Sequence, residues 1–318
     1  MANAPATKNR TQLRKEAQRK AQQRRRQRLL TQLVGFGMLV LLAGLGVWWY
    51  ASSGASSGAS GQALYQFDTN DFHSLAFDPE DADTIYFGHH GGLKVSRDAG
   101  ESWADTQLRD VDAMQLAASG GDSQRLYAAG HDAFYVSTDG GDTWNAQSNN
   151  LPGLDLHAFA GSPSDPLRLY TAPAGQGIFT SADGGVTWEL IAMPPGGERA
   201  SIALAVSPVN PLHVYAGVGS GIAESMDGGQ TWSEQPGPSG TTIALTVAPT
   251  ESATLYAGTD QGLFTRADDG AWQPLPVETS GVVLAVAVSP DQPERVAIVD
   301  TEGNFYRSDD GGQTWGSE

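Results

Sequence analysis

The stretch SMDGGQTW, residues 225–232, decides how the chain is read, because near copies of it recur at almost even steps. They are SRDAGESW (96–103), STDGGDTW (137–144), SADGGVTW (181–188), a shortened RADDGAW (266–272) and SDDGGQTW (308–315). Their aspartates, Asp98, Asp139, Asp183, Asp227, Asp268 and Asp310, lie 41, 44, 44, 41 and 42 residues apart. Each copy closes on a tryptophan: Trp103, Trp144, Trp188, Trp232, Trp272 and Trp315. Six units of forty-odd residues predict a closed ring of small sheets.

Every unit has the same internal order. An apolar strand opens it, as in IALAVSP (202–208) or VLAVAVSP (283–290). A second strand such as VYAG (214–217), a Gly-rich loop and a third strand such as GIAES (221–225) follow, then the DGG turn and a fourth strand beginning at Trp. Four antiparallel strands per repeat make a propeller blade, so the fold class is all-β, a six-bladed β-propeller. The unbroken apolar character of the first strand suits the inner position, where both faces are covered. The chain ends three residues after Trp315, which leaves the last blade short of a fourth strand. ALYQF (63–67) is expected to supply it and join the two ends of the ring.

The residue types of the turn have a structural explanation. Asp227 can accept hydrogen bonds from backbone N–H groups of its own turn, Gly228 or Gly229 can take a positive φ without steric cost, and Thr231 can fix the hairpin. Trp232 can bury its ring between neighbouring blades. Each turn has too few acids for a six-to-eight-oxygen calcium cage, so the repeated aspartates read as staples rather than as a site.

Outside the repeats the chain changes character. Residues 1–28 carry ten basic side chains and one acid, Glu16, leaving nine basic and 35 acidic residues for the remainder of a chain with net charge −17. Residues 29–50, LLTQLVGFGMLVLLAGLGVWWY, have no charge and end in Trp48, Trp49 and Tyr50. Their length suits one transmembrane helix across a hydrocarbon core of about 30 Å, with the aromatic cluster at an interface. The run is longer than the apolar region of a cleaved signal peptide. The positive-inside rule places 1–28 in the cytoplasm and residues beyond 50 outside, in a bacterial periplasm or at the cell surface. ASSGASSGASG (51–61) is a flexible linker with a reach of roughly 18 Å, and 62–318 is the propeller. Its acidity, with Lys94 as the only lysine beyond residue 50, argues against nucleic acid as a partner of the ectodomain. With no cysteine in the chain, disulfides, thiol nucleophiles and thiolate metal sites are ruled out.

The pattern SxDxGxTW, from Asp71 to Trp315, resembles the Asp-box or BNR repeat of sialidases, sortilin-type receptors and photosystem II assembly-factor propellers. That resemblance implies Asp-box turns at the periphery of the ring and is compatible with catalysis, receptor binding or assembly work. Sialidase chemistry needs an arginine cluster, a tyrosine nucleophile and an acid. Here Tyr86, Tyr127, Tyr170, Tyr215 and Tyr256 recur at one place in the second strand, and Tyr135 and Tyr306 share another in the third, as packing residues would. Arg125, Arg168 and Arg295 precede second strands and Arg97, Arg266 and Arg307 flank the turns, which leaves Arg109 and Arg199, short of a triad. The arginine-isoleucine-proline signature of sialidases is also missing.

Histidine departs from this regularity. In a propeller the loops entering first strands and the loops joining second to third strands open on one face. His73 and His157 lie in the former, His89, His90 and His131 in the latter, with Asp71, Asp132 and Asp155 nearby. The candidate ligand-binding set is His73, His89, His90, His131, Asp132 and His157, and His89, His90 and His131 are candidate ligands of a divalent metal such as zinc. Solvated loop residues in an acid-rich domain would give the same composition. HSLAFDP followed by GHHGG is similar to the histidine pattern of bacterial BNR exoproteins described as glycosyl-hydrolase-like. The expected function is an anchored, extracytoplasmic binding or assembly module for a protein or glycan partner. The alternative is a metal-dependent or glycoside-directed hydrolase on the histidine face.

Overall fold

Among the described residues, the regular structure consists of twenty-four short strands. The structure is a computed structural model and describes residues 61–316 apart from 70, 119–123, 132, 198–201, 220, 251–252 and 269. The expected basic tail, the transmembrane helix at 29–50 and the linker up to residue 60 lie outside the described residues, as do Asp132 and Arg199.

Strand β1 is Tyr65–Gln66. The first blade is β2 (Ser74–Phe77), β3 (Ile85–His89), β4 (Gly92–Ser96) and β5 (Ala104–Arg109), and the second is β6 (Gln115–Ala118), β7 (Leu126–Ala129), β8 (Phe134–Ser137) and β9 (Asn145–Ala146). The third comprises β10 (Leu156–Gly161), β11 (Leu169–Pro173), β12 (Phe179–Ser181) and β13 (Glu189–Leu190). The fourth comprises β14 (Ile202–Val206), β15 (Val214–Val218), β16 (Gly221–Ser225) and β17 (Ser233–Pro236). In the fifth, β18 (Thr242–Ala248), β19 (Thr254–Thr259), β20 (Gly262–Ala267) and β21 (Gln273–Pro274) follow the same order. The sixth takes β22 (Val283–Val288), β23 (Val296–Asp300) and β24 (Asn304–Ser308) from the end of the chain and β1 from its start, giving six four-stranded antiparallel sheets.

The closing strand forms as the sequence predicts. Tyr65 pairs with Phe305 and Gln66 with Asn304, while the N–H groups of Leu64 and Phe67 donate to the carbonyls of Phe305 and Gly303. Phe67 is buried and stacks on Phe87 of the first blade, 3.8 Å between centroids, so the closing segment also binds the first blade to the sixth. Arg295 adds an ion pair across the same seam, to Asp83 at 2.6 Å, and is held within its own blade by Asp309 at 2.5 Å. The Arg307 guanidinium donates to the Ala99 carbonyl.

The core is divided among the junctions between blades. Each of six apolar clusters combines residues of two adjacent blades with one repeat tryptophan: Trp103 between blades six and one, then Trp144, Trp188, Trp232, Trp272 and Trp315 around the ring. Second-strand tyrosines reach across the same junctions. Tyr86 donates to the Gly140 carbonyl, Tyr127 to Pro166 and Tyr170 to Pro211, each a group of the next blade. Tyr86, Tyr127 and Tyr170 are therefore buried, hydrogen-bonded packing residues.

In the turn of residues 225–232, Asp227 Oδ1 accepts from Ser225 Oγ and from the N–H groups of Gln230 and Thr231, and Oδ2 accepts from the Thr231 hydroxyl. Both Gly228 (φ 75°) and Gly229 (φ 87°) adopt the left-handed conformation. The Thr231 hydroxyl bond, foremost among these, lowers the Asp227 pKa to about 2. The fifth blade departs from this pattern. Asp268 itself is left-handed (φ 48°) and its N–H donates to Ala253, the role that Gly228 performs toward Leu212. Arg266 stands at the serine position, with its guanidinium over the Trp272 ring.

Candidate functional site

Inner strands of all six blades surround an axial cavity of about 220 Å³ lined mainly by alanine, leucine and valine. His73, Gln115, His157 and Ile243 stand at one mouth, where inner strands begin, and Pro163, Pro208, Pro249 and Pro290 at the other. The first mouth is where the chemistry-bearing side chains gather.

Three aspartates reach it from equivalent positions. Asp71, Asp112 and Asp155 each lie five residues ahead of the alanine that pairs with the blade's tyrosine: Ala76 with Tyr86, Ala117 with Tyr127, Ala160 with Tyr170. In blades one and three a histidine follows two residues later, His73 and His157, whereas blade two has Met114. Blade two supplies its imidazole, His131, from the β7–β8 loop instead, and blade one adds His90 from the β3–β4 turn. Blades five and six have Thr241 and Val282 at the aspartate position, so the acids occupy one flank of the mouth.

These groups form one continuous string. His90 Nδ1 lies 3.3 Å from Asp71 Oδ2, and its ring stacks on His73 with centroids 4.5 Å apart. The His131 ring meets His90 edge-on at 5.5 Å. His131 Nδ1 is 2.7 Å from Asp112 Oδ2 and its Nε2 3.3 Å from Asp155 Oδ1, which also contacts His157 Nε2 at 2.8 Å. Ligand atoms cluster within 4.8 Å in three overlapping trios: Asp71, His73 and His90; His90, Asp112 and His131; His131, Asp155 and His157.

Close backbone approach holds the string in register. A Cβ on Gly130 would stand 2.0 Å from the Asp112 carbonyl oxygen, and one on Gly88 2.0 Å from that of Ala113. Bare glycines thus let the loop bearing Asp112 lie against the ends of β3 and β7, and the Ala113 N–H donates to the His89 carbonyl to pin it. Burial, reinforced by the neighbouring His90, lowers the His73 pKa to about 4 and keeps its imidazole neutral near pH 7. His73 Nε2 and His90 Nε2 are both inaccessible and without a hydrogen-bond partner.

The predicted residues are sorted by this geometry. His73, His90, His131 and His157 come together with Asp71 and Asp155. His89 does not join them: its ring stacks on Phe87, its Nδ1 accepts from the Gly91 N–H, and it belongs to none of the three trios among the described residues. Burial and the charge of Lys94 lower the His89 pKa. Asp112 is the member that sequence reasoning missed. The signal available for it was its repeat register with Asp71 and Asp155, obscured by methionine in place of the following histidine. Chemically, the string offers imidazole nitrogens and carboxylate oxygens to a divalent cation, a cationic side chain or a transferred proton.

The profile of the BNR/Asp-box repeat matches residues 135–146, the turn of the second blade. No curated protein is significantly similar in sequence. Solved structures share the fold. The GH74 xyloglucanase from Xanthomonas campestris superposes with a TM-score of 0.56 at 20% identity, over 80% of this chain and 46% of that one. The GH74 enzyme of Niastella koreensis gives 0.56 at 18% identity over 81% and 46%. YCF48 from Cyanidioschyzon merolae gives 0.51 at 20% identity over 81% of this chain and 87% of its own, and a YCF48 bound to a D1 peptide gives 0.51 at 19% over 83% and 86%. The chain spans less than half the length of the GH74 enzymes it matches.

Proposed function

We propose that this chain, a six-bladed propeller of BNR/Asp-box repeats, is a membrane-anchored extracytoplasmic binding module that engages a protein or glycan partner with the histidine–aspartate mouth of its ring. The observation that carries the reading is the gathering, among the described residues, of four imidazoles and three carboxylates at one mouth of blades one to three, while Tyr86, Tyr127 and Tyr170 are engaged in packing. A rigid ring presenting one polar flank is suited to recognition, since its loops vary without disturbing the blades. Similarity to YCF48 over most of that protein's length, one of those structures holding a peptide, favours a protein partner. The apolar run 29–50 and the basic segment 1–28 support anchoring with the propeller outside.

Site-directed photocrosslinking in membranes of the native host tests this. A crosslinker at Gln115 or His157 should give a discrete adduct that the pair His131→Ala and Asp155→Asn abolishes. One at Val209, which is 75% exposed beyond the end of an inner strand at the other mouth, should not. Equal adducts from both mouths would refute the assignment.

The second reading, a glycoside-directed hydrolase, draws on the GH74 fold similarity and on the hydrogen-bonded pairs His131–Asp112 and His157–Asp155, which have acid–base geometry. It requires turnover of a glycan such as xyloglucan that Asp112→Asn abolishes.

A further inference from the structure

We propose that a divalent transition-metal ion binds between the first two blades, held by His90 and His131 through imidazole nitrogen and by Asp112 through carboxylate oxygen. These three side chains are all partly buried and offer ligand atoms within 4.8 Å of one another. Zinc–ligand bonds of about 2.0–2.2 Å put the ligand atoms of one tetrahedral ion roughly 3.4 Å apart, closer than the 4.8 Å limit found here, and small side-chain rotations close the difference.

The chemistry of each ring nitrogen supports this set over the alternatives. His90 Nε2 is inaccessible to solvent and has no hydrogen-bond partner, an unfilled position for a strongly polar atom. Its other nitrogen, Nδ1, faces Asp71 Oδ2 at 3.3 Å. His131 shows the same division with the atoms exchanged: Nδ1 lies 2.7 Å from Asp112, the proposed carboxylate ligand, and Nε2 lies 3.3 Å from Asp155. Both imidazoles thus have a carboxylate on the nitrogen away from the ion, the arrangement that fixes tautomer and ring orientation in metal-binding histidines. Asp71 and Asp155 orient the rings, and Asp112 binds. With the imidazole proton on Nε2, toward Asp155, the Nδ1 lone pair of His131 is left for the ion.

Two nitrogens and one oxygen favour Zn²⁺, Co²⁺, Ni²⁺ or Cu²⁺ over Ca²⁺ and Mg²⁺, which prefer all-oxygen shells. Three protein ligands leave coordination positions open for water or an incoming group. The site stands apart from the partner-binding reading, because the ion needs no partner to complete its protein ligands.

The experiment is equilibrium dialysis of the untagged full-length chain against Zn²⁺ alone, with metal content measured per chain and Ca²⁺ run in parallel. Co²⁺ absorption spectra report the coordination geometry. One Zn²⁺ per chain, no stoichiometric Ca²⁺, and loss of Zn²⁺ in His131→Ala and in the near-isosteric Asp112→Asn are expected. Asp71→Asn or Asp155→Asn should weaken binding about 10–100-fold, the range for residues that orient metal ligands. His89→Ala should retain the metal. Each variant's melting temperature is measured, so that unfolding is not mistaken for ligand loss, and Asp112→Asn preserves the volume of the site. Metal-free wild-type chain, Zn²⁺ retained in folded Asp112→Asn and His131→Ala, or equal loss in His89→Ala would overturn the proposal.

Discussion

Phe67→Ala tests whether the chain's beginning holds the ring closed. The side chain is 4% exposed, stacks on Phe87 with centroids at 3.8 Å and planes at 15°, and meets Trp103 edge-on at 5.0 Å. Removing a buried phenylalanine to alanine costs about 3–5 kcal/mol, and the stacked and edge-on rings place this site in the upper part of that range. In a chain of this size each kcal/mol lowers the melting temperature by about 2–4 °C, so a loss of at least about 6 °C is expected. The backbone bonds of β1 remain available in this variant, so the loss measures the seam between blades six and one. The assay is thermal unfolding followed by circular dichroism, against Leu190→Ala, whose side chain is 64% exposed on β13 and should shift stability by no more than about 0.5 kcal/mol. A Phe67→Ala variant that melts with the Leu190→Ala control would refute closure by this segment.

Further outcomes follow from the same structure. Trp188 is 4% exposed and packs edge-on against Phe134 at 6.0 Å, so Trp188→Ala should cost about 3–5 kcal/mol in chemical denaturation, more than the partly exposed Trp232→Ala. Asp227 has a folded pKa of about 2 against an ordinary 3.8, so the stability it contributes is complete above the ordinary value and lost as pH falls from about 3.8 toward 2. A carboxyl titration by NMR should show Thr231→Val raising that pKa; an unchanged value would contradict the hydrogen-bond cause. Gly130→Ala places a Cβ 2.0 Å from the Asp112 carbonyl oxygen, and such overpacking costs about 1–3 kcal/mol, read as a lower urea midpoint. An Asp112–His131 contact unchanged by NMR in Gly130→Ala would show that the glycine does not position this loop.

The local, repeated features were legible in the chain itself. A turn recurring six times, five of them intact, sets the number of blades, because Asp227 and its four intact equivalents bond to atoms of their own eight residues. The tyrosines and tryptophans could be assigned to packing because repetition makes equivalent residues equivalent in space. ALYQF could be assigned to closure because the last unit lacks a strand.

The site was legible only in part. A strand sends successive side chains to opposite faces, so at the end of β3 the pair His89–His90 cannot serve one centre together, and nothing in GHHGG says which ring turns toward the neighbours. Asp112 shares the repeat register of Asp71 and Asp155, but its part in the site became plain only with its loop laid against Gly88 and Gly130 of the preceding and following segments. Residues 71, 90, 112, 131 and 155 come from two blades and the start of a third, and their meeting depends on the order and spacing of inner strands around the axis. Sequence repetition specifies blades, because a blade is held by contacts close along the chain. The mouth of the ring is made where different blades converge, and that convergence belongs to the tertiary structure.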